Sequence, residues 1–447
     1  MTNYKLDSTE EKRSAMKDII DKAKIMGAES AAASGFFSKH LTISSRMREI
    51  EYLEKSDEVS IVLDVFKKRK KGSVSLTSTS KESIVKGIEK ALSLCELTEV
   101  DEHFGLPDSE LLERSESLLD IYFPQNKELE YLKEYAIECE NAALDYSPRI
   151  CNSEGASINC TEQERVLANS HDYCNSYQST YYSLSCCVIA ESESEKGLER
   201  DYWYDAARNF NDLESAISIG ESAAKRAVER LGARKIKSQR LPVLLPNYCA
   251  KTIFGSLVSA LSGTSQYQKR SFFPDSISKK IASSHISINE LPREKKLIAS
   301  APFDSDGVAT VSQPLITEGV VNRYLLSTYS ARRLGFKTTG NAGGVRNLIV
   351  QPNDFDINKA LMEFKEIFVV NEFLGQGVNE VTGDFSRGAS GYIMRRGEKA
   401  YPVNEVTIAG NLKDIFNNII ALGSDFDYRS SIVTGSIIID GLTISGS

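Results

Sequence analysis

The sequence predicts an α+β protein. Its N-terminal region is strand-rich, with helices flanking antiparallel sheets, and a mainly antiparallel β C-terminal domain with a few helices follows. Three observations carry this. The order helix, several strands, helix occurs twice in the first half, which makes an internal structural repeat conceivable. The stretch Tyr177–Ala190 alternates strictly, with Tyr182, Leu184, Cys186, Val188 and Ala190 on one face. Beyond residue 236 the composition shifts to glycine and β-branched residues, with no cysteine after Cys249. At 447 residues the chain is too long for one ordinary core. The expected division is an α+β domain over 1–96, a linker over 97–123, a second α+β domain over 124–235 and the β-rich domain over 236–447.

Ser8-x-x-Glu11 is a capping box, opening a helix with Met16, Ile19, Ile20, Ala23 and Met26 on its apolar face and Gly27 as its stop. Strands are expected over Ser30–Ile43, Arg48–Leu53, Val59–Phe66 and Gly72–Leu76. The basic run Lys67–Lys71 falls between the last two and reads as a solvated hairpin tip. Thr79-x-x-Glu82 is a second capping box ahead of Ile84, Val85, Ile88 and Ala91. After the linker a helix is predicted over Asn126–Leu144. Strands then follow at Ile150–Asn159, Arg165–Asn169, Tyr177–Ala190 and Gly197–Tyr204, and a helix from Asp212 to Gly232.

The basic connector Ala233–Arg240 leads to a strand at Leu241–Leu245 and a helix over Cys249–Leu261, with Ile253, Leu257, Val258 and Leu261 inward. Short strands with turns fill most of the remainder, at Glu318-Gly319 and Asp440-Gly441 among others. A last helix is expected over Leu412–Leu422, with Asn411 as N-cap and Gly423 as its close.

Bulk properties exclude several classes. A net charge of −8 argues against a dedicated nucleic-acid binder. No apolar run reaches the ~18–20 residues of a membrane span, and the N-terminal segment shows no apolar signal region, so a cytoplasmic location is expected. The eight cysteines form no CxxC pair and no zinc-finger spacing, so they read as buried reduced thiols. None of the four histidines (His40, His103, His171, His285) pairs with another as HExxH. There is no nucleophile elbow, phosphate loop or dinucleotide fingerprint, and Asp304-Ser305-Asp306-Gly307 reads as a turn rather than a calcium loop.

What remains is glycine. Gly375, Gly377, Gly383, Gly388 and Gly391 are interleaved with Asn379, Thr382, Asp384, Ser386 and Arg387, ahead of a hairpin turning at Arg396-Gly397. Such density suggests backbone held at φ > 0 or approached closely by something else. It reads either as a ligand-presenting loop at the mouth of the hairpin or as bulges and turns with no ligand. Thr338–Gly344 is a second polar glycine loop that could line one cleft with the first.

At these residues the chain resembles the TldD/PmbA family, formerly called modulators of DNA gyrase, and within it the PmbA (TldE) branch. The matching text includes AISIGESAAKRAVERLGARKI (216–236), FDSDGVAT (303–310), YLLSTYSARRLGFKTTGNAGG (324–344), GQGVNEVTGDFSRGASGY (375–392) and AYPVNEVTIAGNLKDIF (400–416). The resemblance extends over essentially the whole chain. It implies a link to a zinc metallopeptidase whose TldD branch takes its metal ligands from an HExxxH helix and a later cysteine. Here Phe254 and Ser259 fall at the histidine positions and Gly255 at the glutamate, and no cysteine follows Cys249. The resemblance therefore implies no catalytic residue and no metal in this chain, with zinc in a TldD-type partner.

The resemblance further implies a subunit that stabilises the partner in a heterodimer and holds a peptide or unfolded-protein substrate, with a homodimer as a substitute. An extended peptide would dock on a strand edge. Asn341, Gly343, Gly344, Gly375, Gln376, Gly377, Asp384 and Arg387 are the candidate binding residues, Arg387, Asp384 and Asn341 foremost. The alternatives are a peptidase in its own right as a homodimer, or a peptide-binding, regulatory module with an indirect effect on DNA gyrase. Neither direct nucleic-acid binding nor membrane association is expected.

Overall fold

A computed structural model describes residues 8–115, 118–192, 197–353 and 356–446. Residues 1–7, part of the segment read as lacking a signal, lie outside the described residues. The chain is α+β. Its first half runs α1 (Thr9–Ile25), β1 (Ser30–Arg46), β2 (Glu49–Lys67), β3 (Lys70–Leu76) and α2 (Lys81–Leu97), then α3 (Leu129–Asp145), β4 (Ile150–Asn169), β5 (Tyr173–Glu191), β6 (Leu198–Ala207) and α4 (Ala216–Glu229). The same order, helix, three strands, helix, thus occurs twice. All six strands form one antiparallel sheet in the order β3-β2-β1-β4-β5-β6, so the two blocks meet at β1 and β4.

The helices pack on this sheet through stripes set by the 3.6-residue period. In α1 the Ser8 hydroxyl accepts from the Glu11 N–H at 3.2 Å, and the Ser8 N–H donates to the Glu11 carboxylate at 3.0 Å. Met16, Ile19, Ile20 and Ala23 are buried behind that cap. Burying each of the larger three stabilises by about 1.5–3 kcal/mol relative to exposure. Helix α4 lies close against α3 because residue 220 is glycine. A Cβ there would sit 2.1 Å from the Cys139 carbonyl oxygen.

Several strands are longer than the sequence pattern indicates. Arg48–Leu53 and Val59–Phe66 are parts of the single strand β2, and Ile150–Asn159 and Arg165–Asn169 are parts of β4. Between them lie polar stretches such as Glu54–Glu58, whose backbone stays in register with Ser38–Thr42 of β1. The ladder continues where the apolar alternation does not. The first hairpin turns at Met47 and Arg48, both at positive φ, and the buried Glu140 carboxylate accepts from both their N–H groups at 2.8 and 3.0 Å. The cap of α2 is Ser80, not Thr79: its hydroxyl accepts from the Ser83 N–H.

The second half begins with β7 (Gln239–Leu245), α5 (Asn247–Ala260) and α6 (Gly263–Tyr267). Next come β8 (Ile288–Glu290), β9 (Gln313–Thr317), β10 (Val320–Val321), α7 (Thr328–Leu334), β11 (Leu348–Val350) and α8 (Ile357–Glu363). The chain ends with β12 (Ile367–Leu374), β13 (Asp384–Arg395), β14 (Glu398–Asn411), α9 (Leu412–Asn417), β15 (Ile419–Leu422), β16 (Ile432–Val433) and β17 (Ile437–Ser445). One sheet is ordered β14-β13-β12-β7-β17-β15, and the extra pairing of β14 with β17 closes five of its strands into a ring. The main core of this half fills the ring and the space under α5, α9 and the smaller sheet β10-β9-β8-β11-β16.

Four expectations are corrected here. The stretch Leu412–Leu422 is helical only to Asn417. Ile419, Ala421 and Leu422 instead pair with Ile439, Ile438 and Ile437 of β17, where their apolar side chains meet β-branched isoleucines. Asp440-Gly441 is not a turn between strands but an irregularity inside β17, where the register against β7 shifts. Asp384–Gly391 is strand rather than loop, so only Gly375–Gly383 forms the connection. All eight cysteines are free, and Cys151 is exposed on β4 rather than buried. Among the described residues no helix is long and apolar enough to cross a membrane.

Candidate functional site

Strand β7 stops at Leu245 because Pro246 follows and α5 begins, its amides satisfied by the Pro246 carbonyl. As a result β7 is registered against β12 only at Phe368 and Val369, whereas β13 continues beside β12 to Leu374. The far side of Val370–Leu374 therefore carries no strand among the described residues. The first turn of α5 covers part of it. Cys249 Sγ lies 3.9 Å from the Val370 carbonyl and 3.7 Å from that of Asn371. Opposite stands β6, the outer strand of the large sheet. Between these two edges lies a cleft of about 210 Å³.

Its walls are aromatic and its corners charged. Tyr202, Trp203 and Tyr204 come from β6, Tyr248 and Lys251 from α5, Asn371–Phe373 from β12, Arg226 from α4 and Arg387 from β13. Arg226 stacks on Trp203 and Tyr248 at 5.2 and 5.1 Å. It donates to Asp201 at 3.0 Å and to the Tyr248 hydroxyl at 3.1 Å. Arg230, one turn later, reaches Glu199, Asp201 and Glu372 at 3.2, 3.3 and 3.1 Å. Lys251 donates to the Tyr204 hydroxyl at 3.2 Å and pairs with Asp427 at 3.4 Å, while Arg429 also holds Asp427, at 2.8 Å. Burial pushes Asp427 up, yet Arg429 and Lys251 outweigh it and hold the carboxyl below the ordinary range. Burial pushes the Cys249 thiol up to about 12, so at neutral pH it is a protonated packing group and not a nucleophile.

Arg387 differs from the other cations. Its Nε and Nη2 both donate to the Gly375 carbonyl, at 3.1 and 2.8 Å, and its guanidinium lies 4.9 Å from the Phe373 ring centre. Among the described residues no carboxylate lies within ion-pair distance of it. Partial burial lowers its pKa.

The candidate residues divide in two. Gly375, Gln376 and Gly377 form the bend beside Arg387. Gly377 is required there, since a Cβ would stand 1.8 Å from the Ser386 carbonyl oxygen, while the Ser386 N–H donates to the Gly377 carbonyl at 2.7 Å. Asp384 is exposed beyond the bend, accepting from Thr382 and Asn411 at 2.7 and 3.1 Å, and does not line the cleft. Asn341, Gly343 and Gly344 do not line it either. Asn341 is buried, its amide donates to both oxygens of Glu290 at 2.8 and 3.0 Å, and its carbonyl accepts from Arg323 at 3.0 Å. The two glycine loops are thus not walls of this one cleft. Loop 338–344 instead docks on the turn at Asp304, whose carboxylate accepts from the Ala342, Asp306 and Val308 N–H groups.

Sequence reasoning missed the β6 and α4 contributions. The signal was present as Tyr202 and Tyr204 on alternate positions beside a polar stretch, but the partner edge lies about 170 residues away and nothing local joins them.

The positions matched to the zinc helix are Phe254, Gly255 and Ser259 of α5. Phe254 is fully buried against Phe416 at 6.1 Å, and the Ser259 hydroxyl donates to Glu380 at 2.9 Å. A phenyl ring, a glycine and a serine do not make a zinc donor set. No group of three His, Cys, Asp or Glu side chains among the described residues is arranged to hold a metal.

Three family models match the chain. They describe PmbA/TldA metallopeptidase domain 1 over residues 37–95, the central domain over 122–231 and the C-terminal domain over 238–446. The chain is 39% identical to the metalloprotease PmbA of Escherichia coli O157:H7, over 94% of this chain and 92% of that one. A solved structure from Bacteroides thetaiotaomicron, described as a candidate modulator of DNA gyrase, superposes with a TM-score of 0.92 at 25% identity, covering 98% of this chain and all of that one. TldE from Thermococcus kodakarensis shares the fold, with a TM-score of 0.81 at 18% identity, covering 97% of this chain and 100% of that one.

Proposed function

The chain belongs to the PmbA/TldD family of metallopeptidases, and on that premise we propose that it is the substrate-holding, non-catalytic subunit of a two-subunit peptidase. The observation that carries this reading is the contrast along α5. The positions of the zinc motif hold Phe254, Gly255 and Ser259, yet the neighbouring turn of the same helix closes a formed cleft between two strand edges. An extended peptide lies along the part of the β12 edge that α5 leaves open, towards Leu374, by main-chain hydrogen bonding, and Arg387 with the Gly375–Gly377 bend meets its end. Hydrolysis is assigned to a TldD-type partner that carries the zinc. The partner is stabilised by this chain in a heterodimer, for which a homodimer substitutes when it is absent.

Asp384 and the loop of Asn341, Gly343 and Gly344 act in this reading as outer supports. Any effect on DNA gyrase is indirect, since the net charge of −8 opposes binding to DNA. The test is co-purification of the tagged full-length chain, followed by peptidase and metal assays on the complex and on the chain alone. Recovery of a similar-sized HExxxH protein in near-equal amount, with activity confined to the complex, is expected. Stoichiometric zinc and peptide hydrolysis in the isolated chain would overturn the reading.

A further inference from the structure

We infer that Arg387 is the anchor for a carboxylate of the bound peptide, seated at the end of the cleft between β6 and β12. This rests on the peptide-holding reading and adds the chemical class of the group recognised.

The inference starts from the charges around the cleft. Arg226 faces Asp201, Arg230 faces Glu372, and Lys251 and Arg429 share Asp427. Each of these cations already has a carboxylate partner within the protein, although Lys251 and Arg429 divide one between them. Arg387 has only a neutral carbonyl, that of Gly375. Both bonds come from one side of the guanidinium, Nε and Nη2. The opposite fork, Nη1 with the second Nη2 hydrogen, has no protein partner among the described residues, and Arg387 is one of the residues that line the cleft. A guanidinium carries five N–H donors, and that two-pronged end matches the two oxygens of a carboxylate.

The group is also held in place before any ligand arrives. The Gly375 carbonyl fixes one edge and the Phe373 ring one face, and Phe373 is itself braced edge-on by Phe385 at 5.7 Å. Little side-chain freedom is left to lose on binding. Partial burial has removed some of the water that would solvate the cation, so an incoming anion restores interaction that the folded chain lacks. The aromatic walls beside it, Tyr202 and Phe373, suit an apolar side chain next to the carboxylate. The carboxylate can be the C-terminus of the peptide or an Asp or Glu side chain within it.

The test is fluorescence anisotropy on the full-length chain with three labelled, unstructured peptides of Gly, Ala, Ser and Leu. One ends in a free carboxylate, one in an amide, and one carries the amide and a single internal Glu. Charged hydrogen bonds of this kind imply that the favoured acid binds roughly 10- to 100-fold more tightly than the plain amide. In Arg387→Gln that ratio should fall to near one, and Arg387→Lys should retain part of it. Tyr202→Ala should weaken acid and amide equally. Preference for the free acid identifies the C-terminus as the source, and preference for the Glu peptide identifies a side chain; either supports the inference. Should Arg387→Gln fail to fold, the Arg387→Lys series decides.

Equal affinity of wild-type protein for all three peptides would overturn the carboxylate anchor and leave peptide holding intact. Failure of every peptide to bind, to the chain alone and to the complex it purifies with, would overturn both.

Discussion

Asp201, buried in edge strand β6, accepts from Arg226 at 3.0 Å and from Arg230 at 3.3 Å, so one carboxylate holds both the last turn of α4 and its C-cap residue beneath the cleft. Through Arg226 the tie continues to Tyr248 on α5, and through Arg230 to Glu372 on β12. The large sheet is thereby fixed to the closed ring of the second half by charges that are out of water on one side.

Asp201→Ala should therefore be costly. It leaves two arginines short of a buried partner, and breaking such a network destabilises by about 3–5 kcal/mol. The half-exposed pair Lys399–Glu229, 3.0 Å apart, joins the same two regions at the surface and should contribute about 0–1 kcal/mol. Urea unfolding of Asp201→Ala against Glu229→Ala measures the contrast. Equal effects would mean that the buried network is not what joins the halves.

The Asp427 carboxyl gives a pH dependence with a definite sign. Its folded pKa lies below the ordinary 3.8, because Arg429 and Lys251 outweigh burial. In acid the unfolded chain then binds the proton more readily than the folded one. The stabilisation is present above about pH 4 and is lost as the pH falls through the folded value. Asp427→Asn should flatten the acid limb of a plot of melting temperature against pH and lower stability at neutral pH. An unchanged acid limb would show that other carboxylates govern it.

Much of the local structure was legible and the site mostly was not, for one physical reason. Caps and turns are decided within a few residues, so Ser8-x-x-Glu11, Asn411 and Arg396-Gly397 are found where the sequence puts them. Ile419–Leu422 fits a helix and a buried strand equally by its apolar run, and only pairing with β17 decides. The cleft is less local still. Its two edges exist because β6 is outermost and because β7 ends at Pro246, and neither fact is written near Arg387.

Asn341 separates the same two kinds of information. As a polar residue in a glycine loop it reads as a ligand contact, but its side chain is occupied with Glu290, Arg323 and Thr339. Asn341→Ala leaves the Glu290 carboxylate short of a donor in a buried site, which should lower stability by about 1–3 kcal/mol. Peptide affinity of the folded fraction should change little, whereas Arg387→Gln should do the reverse. Melting curves and peptide titrations on the two variants test the distinction. Loss of affinity without loss of stability in Asn341→Ala would return this loop to the binding surface.

The α5 positions allow a test of whether packing excludes the zinc motif. Installing the zinc motif requires Phe254→His, Gly255→Glu and Ser259→His. The first change puts a polar ring where Phe254 meets Phe416 in a fully buried core. Truncating such a phenylalanine costs about 3–5 kcal/mol, and a histidine there adds a buried nitrogen without a partner. The only cysteine nearby, Cys249, is one turn earlier, with its thiol against the Val370 and Asn371 carbonyls. The triple variant should melt well below the parent and bind zinc no more tightly than Ser259→His alone, by competition with a chromogenic chelator. Tight stoichiometric zinc in a stable triple variant would mean that the core at Phe254 tolerates the motif, and packing would then not be what separates this chain from a metal-binding relative.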